Sequence, residues 1–229
     1  MPSHPAEALT IDVGDRRVAG LLQTPADARA LYVLAHGARA GMTHRFLADV
    51  AEGLAGRGIA TLRFQFPSME AGSRRPDPPA LAQATVRAAV AEARRRLPAL
   101  PLFAGGKSFG GRMTSQAQAA MPLDGVQGLI FLGFPLHPAG KPSAERARHL
   151  FEVQLPMLFL QGTRDSLAEL GQLRPLIREL GRRASLTLFE AADHSFHVPV
   201  RSGGTDAAVR GELLDALAAW VDRVCATAS

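Results

Sequence analysis

The sequence predicts an α/β fold in one domain over residues 1–229, with a mostly parallel sheet of about seven or eight strands and helices on both faces. Three observations predict it. Short apolar runs alternate with longer segments of helical spacing, the order of repeated strand–helix units. Several runs are apolar at every position, as in Ala30 to Ala35 (Ala-Leu-Tyr-Val-Leu-Ala), and such runs suit strands covered on both faces. Residues able to do chemistry fall just past the ends of these runs, where open parallel sheets bind their ligands.

Met1 to Glu7 reads as a loose lead. Leu9 to Val13 and Arg17 to Gln23 are strand candidates separated by Gly14-Asp15, a hairpin signal. After the run at Ala30, Thr43 to Arg57 has helical spacing, with Phe46, Val50 and Leu54 on one stripe. Ile59 to Phe64 is the next strand, and the Gly-, Pro- and Arg-rich segment from Pro67 to Pro79 reads as a mobile loop that could cover a site. Leu81 to Leu97 is an amphipathic helix with Ala82, Val86, Ala89, Val90, Ala93 and Leu97 on its buried face. Arg94-Arg95-Arg96 reads as its solvated end, favourable against the helix dipole, and Pro98 stops it.

The apolar run Leu100 to Ala104 leads into a glycine-rich turn, and a helix follows over Arg112 to Ala120. Gly128 to Leu132 is a strand, Ser143 to Val153 a helix, Met157 to Gln161 a strand and Ser166 to Leu180 a helix. Leu186 to Phe189 is the last strand, and a final helix runs from about Thr205 to Ala226. The interval from Gly133 to Leu155 holds only a loop and one short helix, so no large lid is expected.

The turn after Ala104 reads Gly105-Gly106-Lys107-Ser108-Phe109-Gly110-Gly111 and contains Gly-x-Ser-x-Gly. A strand that turns sharply into a helix at a serine is a nucleophile elbow, which thrusts the hydroxyl out above the sheet. Gly106 and Gly110 stand where any side chain would collide across so tight a turn. A plain glycine-rich connection is the bland alternative, and the flanking strand and helix weigh against it. Gly106-Lys107-Ser108 also resembles the end of a phosphate-binding loop, but that loop needs a glycine where Pro101 stands, and Leu102-Phe103-Ala104 reads as strand interior.

A serine hydroxyl needs a base within hydrogen-bond reach, and the base needs an acid to fix its tautomer. In folds with this elbow the chain order is Ser, then Asp or Glu, then His. Ser108, Asp165 and His194 follow that order, each just past a predicted strand. Asp165 could instead cap the helix predicted to start near Ser166. His197 competes with His194 as base and is expected to line the pocket or bond the backbone; His194-x-x-His197 lacks the further ligands that a metal site needs. A developing oxyanion needs two fixed donors. The backbone N–H groups of Phe109 and Ala38 are the candidates, the second on His36-Gly37-Ala38-Arg39-Ala40-Gly41 after the strand at Ala35.

Taken together, these segments resemble the α/β-hydrolase fold superfamily, and within it a small dienelactone-hydrolase-like group. The resemblance rests on residues 36–44, Arg63-Phe64-Gln65-Phe66-Pro67, Gly105 to Arg112, Leu160-Gln161-Gly162-Thr163-Arg164-Asp165 and Asp193-His194-Ser195-Phe196. It implies a serine hydrolase with Ser108 as nucleophile, Asp165 as acid and His194 as base, and it implies no cofactor. Some relatives serve as scaffolds in larger assemblies, so a catalytically silent binding module is the alternative. Hydrolysis of a carbon–halogen bond normally uses an aspartate at the elbow, and Ser108 argues against it. The expected substrate is a small carboxylic ester or thioester in a shallow open site, with Arg39, Met42, Phe66, Arg112, Phe134 and His197 as candidate pocket residues.

Composition narrows the partners. With 47% hydrophobic and 21% charged residues the chain is an ordinary globular protein. Its net charge of +5 rests on 26 basic residues, all arginine except Lys107 and Lys141, scattered in pairs and triplets. Nucleic-acid binders concentrate charge on one face, so no nucleic-acid partner is expected. Cys225 is the only cysteine, which excludes an internal disulfide and suits a reducing compartment. There is no secretory pattern in the first thirty residues and no apolar run approaching the roughly 20 residues that span a bilayer. A soluble cytoplasmic monomer or homodimer, without a membrane partner or metal, is expected.

Overall fold

The computed structural model of the chain describes residues 4–73 and 75–228. Its strands are β1 (Ala6–Val13), β2 (Arg16–Gln23), β3 (Ala30–Ala35), β4 (Ile59–Phe64), β5 (Leu102–Lys107), β6 (Val126–Leu132), β7 (Met157–Gly162) and β8 (Ala184–Phe189). They form one eight-stranded sheet in the order β1-β2-β4-β3-β5-β6-β7-β8. β1 and β2 are a hairpin, and β2 pairs antiparallel with β4. From β4 to β8 every neighbouring pair is parallel.

The uniformly apolar strands are those with both faces covered. Leu31, Val33 and Ala35 of β3 face one core, against α3 (Pro79–Arg96), α4 (Phe109–Ala120) and α5 (Leu170–Leu180). Ala30, Tyr32 and Leu34 face the other, against α1 (Arg45–Ala55) and the C-terminal helix (Asp206–Ala228), numbered α6 after the short α2 (Pro67–Glu70). Alternation of side chains along a strand divides one apolar run between two cores. β8 is one of the sheet's two edge strands, and its side chains are mostly half-buried.

Strand order reverses at β3, whose neighbours β4 and β5 leave on opposite sides. The loops after β3 and β5 therefore diverge at their carboxyl ends and open a crevice, the usual ligand position in such sheets. The expected nucleophile and oxyanion loop both stand at this crevice.

Several boundaries differ from the sequence expectation. β1 begins at Ala6, inside the expected loose lead, of which residues 1–3 lie outside the described residues. β5 runs on through Gly105, Gly106 and Lys107 because it is paired on both sides, with β3 and β6. The expected helix over Ser143–Val153 is a 3₁₀ segment, Glu145–Glu152. α5 starts at Leu170, not Ser166. The segment after Pro67 contains α2, and the Asp77 carboxylate accepts from the Ser68 N–H at 2.9 and 3.1 Å, closing the loop on itself. Arg94 pairs with Asp124, and Arg95 and Arg96 with Glu92, so the end of α3 is ion-paired as well as solvated. No helix among the described residues is long and apolar enough to cross a membrane.

Candidate active site

Ser108 joins β5 to α4 with φ 50° and ψ −111°, a sparsely populated backbone conformation for a residue with a side chain. Its neighbours show what holds the elbow. A Cβ on Gly106 would stand 2.1 Å from the Ala35 carbonyl oxygen, and one on Gly110 would stand 2.6 Å from the carbonyl oxygens of Ala35 and His36. The two glycines therefore let the elbow lie directly against the end of β3.

The serine points at a histidine. Ser108 Oγ lies 2.9 Å from His194 Nε2, and His194 Nδ1 lies 2.7 Å from Asp165 Oδ2. An ionised carboxylate only accepts, so Nδ1 carries the ring proton and Nε2 is left to accept the serine's. Asp165 is buried, and its lone pairs are used further: Gln161 Nε2 donates to Oδ2 and the Leu167 N–H donates to Oδ1 at 2.8 Å. Gln161 is held in turn by the Phe134 N–H, which donates to its Oε1 at 2.9 Å. Asp165 lies ahead of α5, whose N-cap is Glu169, so the capping alternative falls away.

His194 sits on the loop after β8 between two non-glycine residues in the left-handed region, Ala191 (φ 58°) and Phe196 (φ 62°). Asp193 organises the loop: its Oδ1 accepts from the N–H groups of Ser195 at 2.7 Å and His197 at 3.0 Å. The Phe196 ring stacks on Phe46 of α1 at 5.7 Å. Lys107 reaches across from β5, donating from Nζ to the His194 carbonyl oxygen at 2.5 Å. Burial of its ammonium outweighs the attraction of Asp165 and Asp193 and pushes its pKa down to about 8.

The loop after β3 is tied by His36, which is buried. The Phe66 N–H donates to His36 Nε2 at 3.0 Å, so the ring proton lies on Nδ1, which donates to the Gly37 carbonyl oxygen at 2.7 Å. Burial lowers the His36 pKa, consistent with a neutral ring. Ala40 N–H also donates to the Gly37 carbonyl at 3.2 Å, which folds the Ala38 segment into a turn beside Ser108.

A cleft of about 350 Å³ opens over Ser108 and His194, with Phe46, Leu47 and Leu167 as apolar walls and His44 and Lys107 as polar ones. Ala38 lines this cleft and also a small neighbouring cavity that Phe109, Arg39, Phe66 and Arg75 share. The structure thus brings Ser108, Asp165, His194, Ala38 and Phe109 together, and places Arg39 and Phe66 beside them.

The remaining expected pocket residues are placed elsewhere. Phe134 is fully buried against Phe131 and Phe159, a core residue that a ligand cannot reach. Met42 is buried, its N–H donating to Gln65 Oε1 at 2.8 Å. The Arg112 guanidinium lies over the Phe109 ring at 5.9 Å, and burial, with nearby Arg146 adding to it, lowers its pKa. His197 is exposed and pairs through Nδ1 with Asp206 at 2.9 Å. Gln161, His36 and Lys107 were missed as site residues. Lys107 carried a signal, since it is the residue between Gly106 and Ser108; Gln161 and His36 are each held by an N–H from a distant segment, of Phe134 and of Phe66. Among the described residues no group of three or more His, Cys, Asp or Glu side chains is placed to hold a metal.

Residues 28–222 match the family described as alpha/beta hydrolase domain. The chain belongs to that family. Its fold is shared with solved α/β hydrolases. It is similar to a lidless α/β serine hydrolase from Xanthomonas campestris at 23% identity and a TM-score of 0.73, covering 96% of each chain. It is similar to a dienelactone hydrolase from Anabaena variabilis at 22% identity and a TM-score of 0.74, covering 92% of this chain and 95% of that one. An esterase domain of a Rhodothermus marinus protein aligns at 16% identity and a TM-score of 0.73, over 95% of this chain and 98% of that domain. Between β6 and β7 this α/β hydrolase carries a loop and a 3₁₀ segment and no lid domain.

Proposed function

We propose that this α/β hydrolase cleaves small carboxylic esters or thioesters through an acyl-enzyme, with Ser108 as nucleophile, His194 as base and Asp165 as orienting acid. The observation that carries the reading is the continuous line from Ser108 Oγ through the His194 ring to a buried carboxylate, at 2.9 and 2.7 Å. Ser108 Oγ attacks the carbonyl carbon while His194 Nε2 takes its proton. Asp165 stabilises the imidazolium that results. The tetrahedral oxyanion is held by the N–H groups of Phe109 and Ala38. His194 then passes its proton to the leaving alcohol or thiol, and a water, deprotonated in the same way, releases the acid.

The cleft supports a small substrate. At about 350 Å³ it lies near the lower end of ordinary ligand pockets, and its walls at Phe46, Leu47 and Leu167 suit a short apolar acyl group. The printed descriptions of the similar structures, a serine hydrolase, a dienelactone hydrolase and an esterase, point the same way. The reading needs no cofactor, nucleic acid or membrane.

The test is labelling with a fluorophosphonate probe, read by intact mass. One adduct on the wild type and none on Ser108→Ala is expected. A folded wild type that takes no adduct would overturn the reading in favour of a silent binding module.

A further inference from the structure

We propose that Lys107 is a positioning residue for the catalytic base: its ammonium ties the end of β5 to the main chain of His194 and so fixes the imidazole between Asp165 and Ser108. This rests on the triad reading above and adds to it a residue that stands in the cleft wall but acts through the main chain of His194, not on a reacting atom.

The geometry points to such a tie. Lys107 is the last residue of β5, so its backbone is fixed by pairing with Leu132 of β6 and it immediately precedes the nucleophile. Its side chain crosses to the other catalytic loop, where Nζ donates to the His194 carbonyl oxygen. Among the described residues that carbonyl has no other hydrogen-bond donor. The ammonium also lies 5.5 Å from the centroid of the Phe196 ring, two residues past His194, and so meets the loop at two points on the C-terminal side of the base. Space for it is kept at the end of β6, where a Cβ on Gly133 would stand 2.9 Å from Nζ.

The loop has reason to need a tie. Ala191 and Phe196 both hold left-handed backbone conformations that residues with side chains rarely adopt, and such conformations persist only where surrounding contacts fix them. A charge-assisted hydrogen bond from a rigid strand is a contact of that kind. The titratable groups facing the ammonium are Asp165 after β7, Asp193 and His194 after β8, and His44 across the cleft at the start of α1. Both carboxylates favour the charged lysine, whereas burial opposes it.

Lys107→Met keeps the length of the side chain and removes the donor. In ¹⁵N-histidine spectra of this variant we expect the His194 Nδ1 proton to exchange about tenfold faster than in the wild type, the size of one charge-assisted hydrogen bond. Fluorophosphonylation of Ser108 should slow by a similar factor in its limiting rate, with the probe concentration for half-saturation unchanged. In the wild type, exchange corrected for its intrinsic pH dependence should accelerate as pH rises through about 8, where the ammonium is lost. That wild-type measurement carries the test even if the variant fails to fold. A variant with unchanged exchange and labelling rate, or a wild-type profile flat through that range, overturns the proposal. A wild type with a protected Nδ1 proton but no labelling would instead overturn the hydrolase reading and leave the tie standing.

Discussion

The Phe66 N–H donates to His36 Nε2 at 3.0 Å, and this one bond sets the histidine's tautomer and with it the loop that carries Ala38. Because Nε2 accepts, Nδ1 must donate, and it does so to the Gly37 carbonyl. The histidine thus clamps two segments, the turn after β3 and the start of α2. Leucine at this position fills similar space without either bond. His36→Leu is expected to lower kcat by about 10²-fold, the loss typical of one misplaced oxyanion donor, with KM little changed. Steady-state kinetics on a short-chain ester would show it, and an unchanged kcat would remove Ala38 from the oxyanion hole.

Gly110 is a second fixed point. A Cβ there would overlap two backbone carbonyl oxygens at 2.6 Å, and neither oxygen belongs to a side chain that can swing away. The α4 helix would have to back off from β3 and carry Phe109 and Ser108 with it. Gly110→Ala is therefore expected to destabilise the fold by on the order of 3 kcal/mol, read as a lower urea midpoint. Gly72, where an added Cβ meets nothing within 4 Å although φ is +69°, is the milder comparison.

The sheet was legible because local chemistry alone decides it. Ala30 to Ala35 is apolar at every position and Ile59 to Phe64 at every position but Thr61 and Arg63, and both run to the same ends in the structure. The grouping of Ser108, Asp165 and His194 was legible because each follows a strand and their order along the chain has a chemical meaning. The places of Gln161 and His36 were not, since each side chain is held by a backbone N–H, of Phe134 and of Phe66, that only the folded chain brings near. Phe134 failed as a pocket residue for a related reason. Its nearness to a strand end says nothing about which side of the sheet it packs on, and Phe131 and Phe159 draw it into the core. The 3₁₀ segment at Glu145–Glu152 keeps helical spacing but takes a tighter winding that spacing does not reveal.

The two histidines of the loop after β8 separate cleanly. His194 faces a buried carboxylate and a serine, whereas His197 is exposed and bound to Asp206 at the start of α6. The hydrogen bond that His197 donates to Asp206 raises the His197 pKa, and the stabilisation this gives is present below the ordinary value and fades as pH rises through the raised one. His194→Ala is expected to lower kcat by about 10⁴-fold or more. His197→Ala should leave kcat within about twofold, since the side chain is exposed and bound to Asp206 rather than to Ser108 or Asp165. Rate measurements on both variants at pH 7.5 check this, and loss of activity in the second would reassign the base.

Lys107 should show an opposition between stability and activity. Burial lowers its pKa from 10.5 to about 8, so the folded protein binds fewer protons than the unfolded chain between those values. Stability attributable to this residue therefore rises with pH from about 8 to 10.5, and below about 8 the full cost of enclosing the charge is present. Partial exposure to the cleft screens part of that cost, and the hydrogen bond to His194 offsets about 1 kcal/mol more. Lys107→Met removes both the cost and the bond. At pH 7 it is expected to raise the Tm by about 2–4 °C, the shift that ~1 kcal/mol makes in a domain of this size, while slowing Ser108. Calorimetry from pH 7 to 10.5 should show the two melting curves converge as the wild-type lysine loses its proton. A variant that melts lower at every pH would mean that the ammonium is chiefly a stabilising contact.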